Sequence, residues 1–429
     1  ILLSCTILFS ACSDDKAETS AKAVKEKLIV AQDGEPKSLD VHQGNDGFSL
    51  RANKLIYSRL VESDGDMNIL PGLAESWEQL DDKTMQFKLR KGVKFHNGYD
   101  FTAEDVKFSF DRMANSPRIA FVLPPIEKVE VVDDYTVNIV TKTPFGPLLA
   151  HLSHPALGIV SKKLLTEDEQ SFKDHPIGTG SYKFKEWIPG DSLTLEKNED
   201  YFDKKNGLKY IVFKNIVEAS NRTIGLETGE IDISIAVSSV DENTIKNNPK
   251  LQLITKPSIS YSYVGMNTQK TPLNDVRVRK AINYAVDKQA IVDVILNGSG
   301  KIATSPIAPG VFGFTDKTKN YEYNVEKAKE LLTEAGWNEV EGKTYREKDG
   351  KELAFTLNYC SDNVTEKTIS EFYQSELAKI GINLTIVGEE EQAARDRMKS
   401  GDFDIIFNIS WGAPYDPQSF LAGMRMPVY

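Results

Sequence analysis

Residues Trp411-Gly412-Ala413-Pro414-Tyr415-Asp416-Pro417 put two aromatic rings, a carboxylate and two prolines into seven positions. They follow directly on Phe403 to Ile409, an apolar run with the length of a buried strand. Proline fixes its own backbone and opposes helix, so the rings and the acid are presented from a stiff turn. Such a turn suits the wall of a pre-organised small-molecule pocket. A structural corner that happens to hold a Trp fits the same seven residues, and the two readings stand side by side on this segment alone.

Other groups with chemical potential are few. The five histidines are His42, His96, His151, His154 and His175. Only His151 and His154 are spaced to share a helix face, and Pro155 ends any helix there. Gly178-Thr179-Gly180-Ser181 lacks the third glycine of a phosphate loop and leads into strand-like Tyr182-Lys183-Phe184, so a tight turn is expected. Gly-x-Ser-x-Gly, His-Glu-x-x-His and Walker patterns are absent. Glu389-Glu390-Glu391 reads as the start of a helix, where negative charge suits the dipole. A pair of distant carboxylates remains open to an exported hydrolase, the distant alternative. Binding is the expected task, and no enzymatic one.

The elements that must position these groups are mixed. Phe87 and Leu89, then Val137 and Ile139, then Leu193 and Leu195 alternate with polar neighbours, as half-buried strands do. Thr102-Ala103-Glu104-Asp105 has capping-box spacing ahead of Val106, Phe110 and Met113. One long helix is expected from Val276, capped by Asn274 or Asp275, to about Leu296 before Gly298. Further helices are expected at Val325 to Ala335 and Thr365 to Ile380, and strands at Leu353 to Leu357, Asn383 to Val387 and Phe403 to Ile409. With 429 residues and 40% hydrophobic content the chain should form two or three α/β domains. A net charge of -11 argues against nucleic acid as a partner.

The apolar stretch from Ile1 to Ala11 is too short to cross a bilayer as a helix and reads as the remnant of a signal peptide. Leu8-Phe9-Ser10-Ala11-Cys12 resembles the lipobox of bacterial lipoproteins, which implies lipidation of Cys12 and a polar tether over 12–27. Cys360 is then the one remaining cysteine, too few for a disulfide framework.

Four ordered motifs carry a wider resemblance: Pro71 to Trp77 with Phe87 to Gly98, then Pro176 to Tyr182, then Asn221-Arg222 with Glu227 to Asp232, and Asp275 to Lys288. With them the chain resembles the extracytoplasmic solute-binding proteins, family 5, of peptide and nickel ABC importers. The resemblance implies an α/β, two-lobed periplasmic-binding-protein (type II) fold with an extra subdomain in lobe I. It places the lobe I core at 28–54 and 181–267, the extra subdomain at 55–180 and lobe II at 268–429. A family chain returns to lobe I near its end, so a sequence stopping at Tyr429 is expected to be truncated at the C-terminus.

The segment from Gly388 to Arg425 resembles the nickel-binding branch most. By that resemblance Trp411 and Tyr415 are pocket aromatics, Arg118 pairs with chelator carboxylates, and Phe121 stands where the branch has a Trp. The branch's direct histidine ligand falls at Tyr429. Related nickel binders use a histidine of the N-terminal lobe, which makes His42 a metal candidate, the alternative being a surface turn residue. The implied ligand is a nickel chelate, with nickel entering as part of the ligand and no resident cofactor. The alternative is a short peptide (dipeptide, oligopeptide or glutathione-like), whose α-ammonium Asp416 would meet. Implied partners are the permease subunits of an ABC importer and, through the lipid anchor, the membrane. The implied place is the periplasm or cell surface.

Overall fold

The computed structural model describes residues 25–410 except 204–206, 239, 312 and 319. Seventeen strands are present among them, and it is convenient to number them along the chain. Strand β1 is Lys27–Gln32, and β2 (Val61–Ser63) forms a hairpin with β3 (Ile69–Pro71). Next come β4 (Ala74–Gln79), β5 (Thr84–Leu89), β6 (Ile126–Asp133), β7 (Thr136–Thr141), β8 (Tyr182–Ile188), β9 (Ser192–Lys197), β10 (Tyr210–Asn215) and β11 (Ile233–Ser234). The last third holds β12 (Ser262–Met266), the small hairpin β13 (Glu347–Lys348) with β14 (Lys351–Glu352), then β15 (Ala354–Cys360), β16 (Asn383–Glu389) and β17 (Ile405–Ile409).

These strands form three principal sheets. The order β4-β5-β7-β6 is antiparallel throughout. The alternation of Met85, Phe87 and Leu89 on β5, and of Val137 and Ile139 on β7, turns one face of this sheet inward. The order β11-β1-β10-β9-β8 is mixed: β1 runs parallel to β10 and β11, while β9 pairs antiparallel with both β10 and β8. The third sheet, β12-β17-β15-β16, is parallel between β17, β15 and β16. Its inner strand β15 is buried almost continuously from Phe355 to Tyr359, as a strand covered on both faces must be.

Packing divides the molecule. The core around the antiparallel sheet and the core around the five-stranded sheet share Tyr99 and Ile177 at their margins. The core around the third sheet draws only on residues from Val264 to Phe407 and has no member in common with either. Strand β12 belongs to this third unit through its pairing with β17. The expected division placed 262–266 with the first lobe, whereas these residues pair with β17 of the third sheet. Hydrogen bonding to a strand some 140 residues later decided this, and no local pattern could announce it.

Local signals act as expected in several elements. The helix Ala103–Ala114 starts at Thr102, whose N–H is taken by the Asp105 carboxylate at 2.9 Å, and it buries Val106, Phe110 and Met113. Such a cap contributes about 1 kcal/mol. The long helix expected from Val276 is different. It runs only from Val276 to Ala285, Val286 is extended, and a new short helix starts at Lys288. The Tyr284 carbonyl accepts from Asn324 N–H at 2.8 Å, and the Asn283 carbonyl accepts from Lys288 Nζ at 2.9 Å. Asp287 then caps the amides of Gln289 and Ala290. An aspartate inside a helical pattern competes with the backbone in this way. The expected turn at Gly178–Gly180 is instead a close backbone crossing: a Cβ at either glycine would lie 2.1–2.2 Å from the carbonyl oxygen of Ile56 or Leu55.

Candidate functional site

Three of the expected site residues, His42, Arg118 and Phe121, come together on one wall of the first unit. The wall is built from the inside out. Asp40 is buried and accepts both ends of the Arg112 guanidinium, at 2.8 and 2.5 Å, together with the His42 N–H at 3.0 Å. Burial alone would raise the Asp40 pKa, but the bonds and charge of Arg112 outweigh it and hold the carboxyl below its usual range. Arg112 sits in the last turn of the helix Ala103–Ala114 and lies over the Phe172 ring. The helix end is thereby tied to the segment after β1.

His42 occupies a turn but no surface: its exposure is 0%. Its Nε2 faces the Gly158 carbonyl at 2.9 Å, so this nitrogen carries the proton. Burial, aided by the nearby Arg112 charge, lowers its pKa to about 4 and keeps the ring neutral. Nδ1 is left with its lone pair buried and without a partner among the described residues. The surface-turn expectation is therefore corrected, and a metal ion cannot reach this ring from solvent in the conformation seen. His42 instead pins the segment of Gly158 to that of Ser116, whose Oγ donates to the His42 carbonyl at 2.5 Å.

Ser116 passes the support outward, because its Oγ also accepts the N–H of Arg118 at 3.2 Å. A single 3-10 turn, Ala120–Val122, follows. His151 Nδ1 donates to the Val122 carbonyl at 3.0 Å and closes that turn from behind. His154 accepts the Ala156 N–H and is neutral, its pKa lowered to about 4 by burial and by the Arg59 charge. The histidine pair is thus spent on backbone carbonyls and amides. Carried on this buried frame, Arg118 is exposed and Phe121 is 74% exposed. Among the described residues the Arg118 guanidinium makes no ion pair, so a cation and an aromatic ring are offered together. Among the described residues no group of three or more His, Cys, Asp or Glu is placed to hold a metal ion.

The expected aromatic turn follows β17 in the sequence. Trp411, Tyr415, Asp416 and Tyr429, like Cys12, lie outside the described residues. Its root is described in full. Ser410 N–H donates to the Tyr261 carbonyl at 2.8 Å, and Tyr261 N–H donates to Ser410 Oγ at 3.0 Å. Ser260 Oγ bonds the Ser410 carbonyl, and Asn408 Nδ2 donates to Tyr263 Oη at 2.8 Å. The point from which Trp411 departs is therefore clamped to the segment 260–263. The sequence analysis does not single out these anchoring residues, although Ser260 and Tyr261 stand just ahead of β12 and Tyr263 within it. The acidic run divides its duties: Glu389 ends β16 in an ion pair with Arg397, while Glu391 opens the helix Glu391–Ser400 and pairs with Arg395.

Comparison with known proteins gives this geometry a setting. The model for bacterial extracellular solute-binding proteins, family 5 Middle, matches residues 68–427. The nickel-binding periplasmic protein of Escherichia coli (strain K12) is 32% identical over 388 residues, which are 88% of this chain and 74% of that protein. The oligopeptide-binding protein AppA of Bacillus subtilis (strain 168) is 32% identical over 442 residues, 98% of this chain and 81% of its own. The crystal structure of NikA from Brucella suis in complex with Fe(III)-EDTA superposes with a TM-score of 0.82 at 32% identity, covering 94% of this chain and 83% of that one. With its separate cores and its three sheets, the chain belongs to the bacterial extracellular solute-binding proteins of family 5 and has their two-lobed type II fold.

Proposed function

We propose that this solute-binding protein captures an anionic nickel chelate and hands it to the permease of an ABC importer. The observation that carries the reading is the exposed pair Arg118 and Phe121, held on a buried polar frame. A guanidinium binds carboxylates by two parallel charge-assisted bonds, and a ring three residues away covers the organic skeleton. The chelator brings the metal's donor atoms, so the protein needs no cluster of its own. Trp411 and Tyr415 would close over the ligand from the second lobe, and Cys12 would anchor the protein to the membrane by its lipid. The likeness to a structure holding Fe(III)-EDTA supports this choice of ligand class. His42 acts in this reading as a support behind Arg118 and not as a metal ligand.

A short peptide is the second reading, favoured by the oligopeptide-binding relative that aligns with nearly the whole chain. Native mass spectrometry with elemental analysis of the full-length protein, purified from its native host, separates the two. Stoichiometric nickel with an organic adduct supports the chelate, and a metal-free mixture of short-peptide masses overturns it. Arg118→Ala is expected to weaken Ni(II)-EDTA binding by ~2–5 kcal/mol, since a buried carboxylate would lose its charged partner. Unchanged calorimetric affinity would remove Arg118 from the site.

A further inference from the structure

The two lobes touch at a small apolar cluster that belongs to neither core. Met67, at the tip of the β2–β3 hairpin, packs against the buried pair Ala308 and Val311, as do Ile259, Tyr261 and Ile307. The hairpin is rooted in the first lobe, since Val61 and Leu73 are in the core of the antiparallel sheet. Tyr261 and its neighbours lead into β12 of the second lobe. No other hydrophobic cluster of the described residues takes members from both sides.

The hairpin tip is built for this contact. The Asp64 carboxylate accepts the N–H groups of Asp66 and Asn68 and the Asn68 side-chain amide, each at 2.9 Å, so the turn is rigid on its own. Met67 itself has φ 64, a left-handed conformation that costs an ordinary side chain on the order of 1–2 kcal/mol and that Gly or Asn would adopt more easily. A methionine held there points its thioether into the socket, where Gly310, itself at φ 89, leaves room beside the Met67 methyl. Lys256, ahead of β12, adds an exposed ion pair to Asp66 at 3.2 Å. On the socket side Tyr261 Oη donates to the Pro306 carbonyl at 2.9 Å, and the Tyr261 backbone clamps Ser410.

We propose that the β2–β3 tip is a latch: Met67 in the Ile307–Val311 socket holds the two lobes in this placement, and Tyr261 joins the latch to the root of the Trp411 segment. Opening the lobes withdraws Met67 and exposes the socket, and closing them seats it. The latch thereby biases the lobe equilibrium without touching the ligand. The proposal rests on the solute-capture reading, and its test is made on ligand-free protein so that the two stand or fall separately.

Nitroxide labels at Lys83→Cys and Lys367→Cys, in a Cys360→Ser background of the full-length protein, report the distance between the lobes by double electron–electron resonance. Met67→Asp and, from the other side, Val311→Asp are each expected to add a longer-distance population, whereas Met67→Leu keeps the original distribution. Unchanged distances in both aspartate variants, with folding verified by circular dichroism, overturn the latch. Weakened Ni(II)-EDTA binding without any distance change also counts against it and leaves the capture reading intact. A distance change in a protein that binds no chelate sustains the latch and removes the chelate reading.

Discussion

Two walls, the one under Arg118 and Phe121 and the one at the end of β17, are anchored by different physics. On the first lobe, Arg118 and Phe121 hang from a buried polar frame: the Asp40–Arg112 ion pair, the neutral His42 and the Ser116 hydroxyl. Its partners come from segments as far apart as Asp40 and Gly158. On the second lobe, the end of β17 is held by neutral hydrogen bonds between adjacent segments, 260–263 and 408–410, two of them between a serine hydroxyl and backbone and one between the side chains of Asn408 and Tyr263. A frame made of buried charge fails abruptly when one member is removed, because the other is left unpaired in a poor solvent for ions. A seam of neutral hydrogen bonds loosens by about 1 kcal/mol per bond. The wall that carries Arg118 has the costlier support.

The sharpest way to break this contrast is Arg112→Ala. It leaves the Asp40 carboxylate buried and unpaired, with an expected loss of about 3–5 kcal/mol in urea unfolding. A loss below about 1 kcal/mol would mean that Asp40 is hydrated and that the first wall is no stiffer than the second.

Next in size is acid sensitivity. His42, His96 and His154 have folded pKa values of about 4, below the ordinary 6.5. Between these values the unfolded chain binds the additional protons, so stability is present above pH 6.5 and is lost as pH falls toward 4. The expected slope is about 1.4 kcal/mol per pH unit for each histidine. His154→Asn, whose side-chain oxygen can take the same Ala156 N–H, should remove about a third of the three-histidine slope when unfolding is followed from pH 6.5 to 4.5. An unaltered slope would place the proton uptake elsewhere.

The smallest effect belongs to the second wall. Ser410→Ala deletes the acceptor of the Tyr261 N–H and should cost about 1 kcal/mol. The loss should appear as faster hydrogen exchange at Tyr261 with the first lobe unaffected. Equal acceleration at Arg118 would show the two walls to be one cooperative unit.

Much of the scaffold is legible residue by residue. Alternation at Met85, Phe87 and Leu89, the Thr102–Asp105 cap and the Asp275 cap each concern atoms within a few residues. Their outcome follows from strand and helix periodicity. Arg118 and Phe121 enter as candidates through family resemblance, while the residues that hold them were not legible. Ser116 looks ordinary in the chain and His151 stands out only by its spacing from His154, and their roles arise from contacts with His42 and Val122.

By itself, then, the sequence determined the local matters: which faces are apolar, where helices can begin, and which family's motifs are strung along the chain. Only the tertiary structure decided that the helix from Val276 stops at Ala285, because Asn324 and Lys288 take carbonyls its continuation would need. It likewise decided that His42 is sealed under Gly158, that β12 joins the second lobe, and that Met67 reaches across to Val311. Each depends on a partner far along the chain. A hydrogen bond or an apolar contact of that kind is settled by which distant surfaces meet, and periodicity over a few residues carries no record of it.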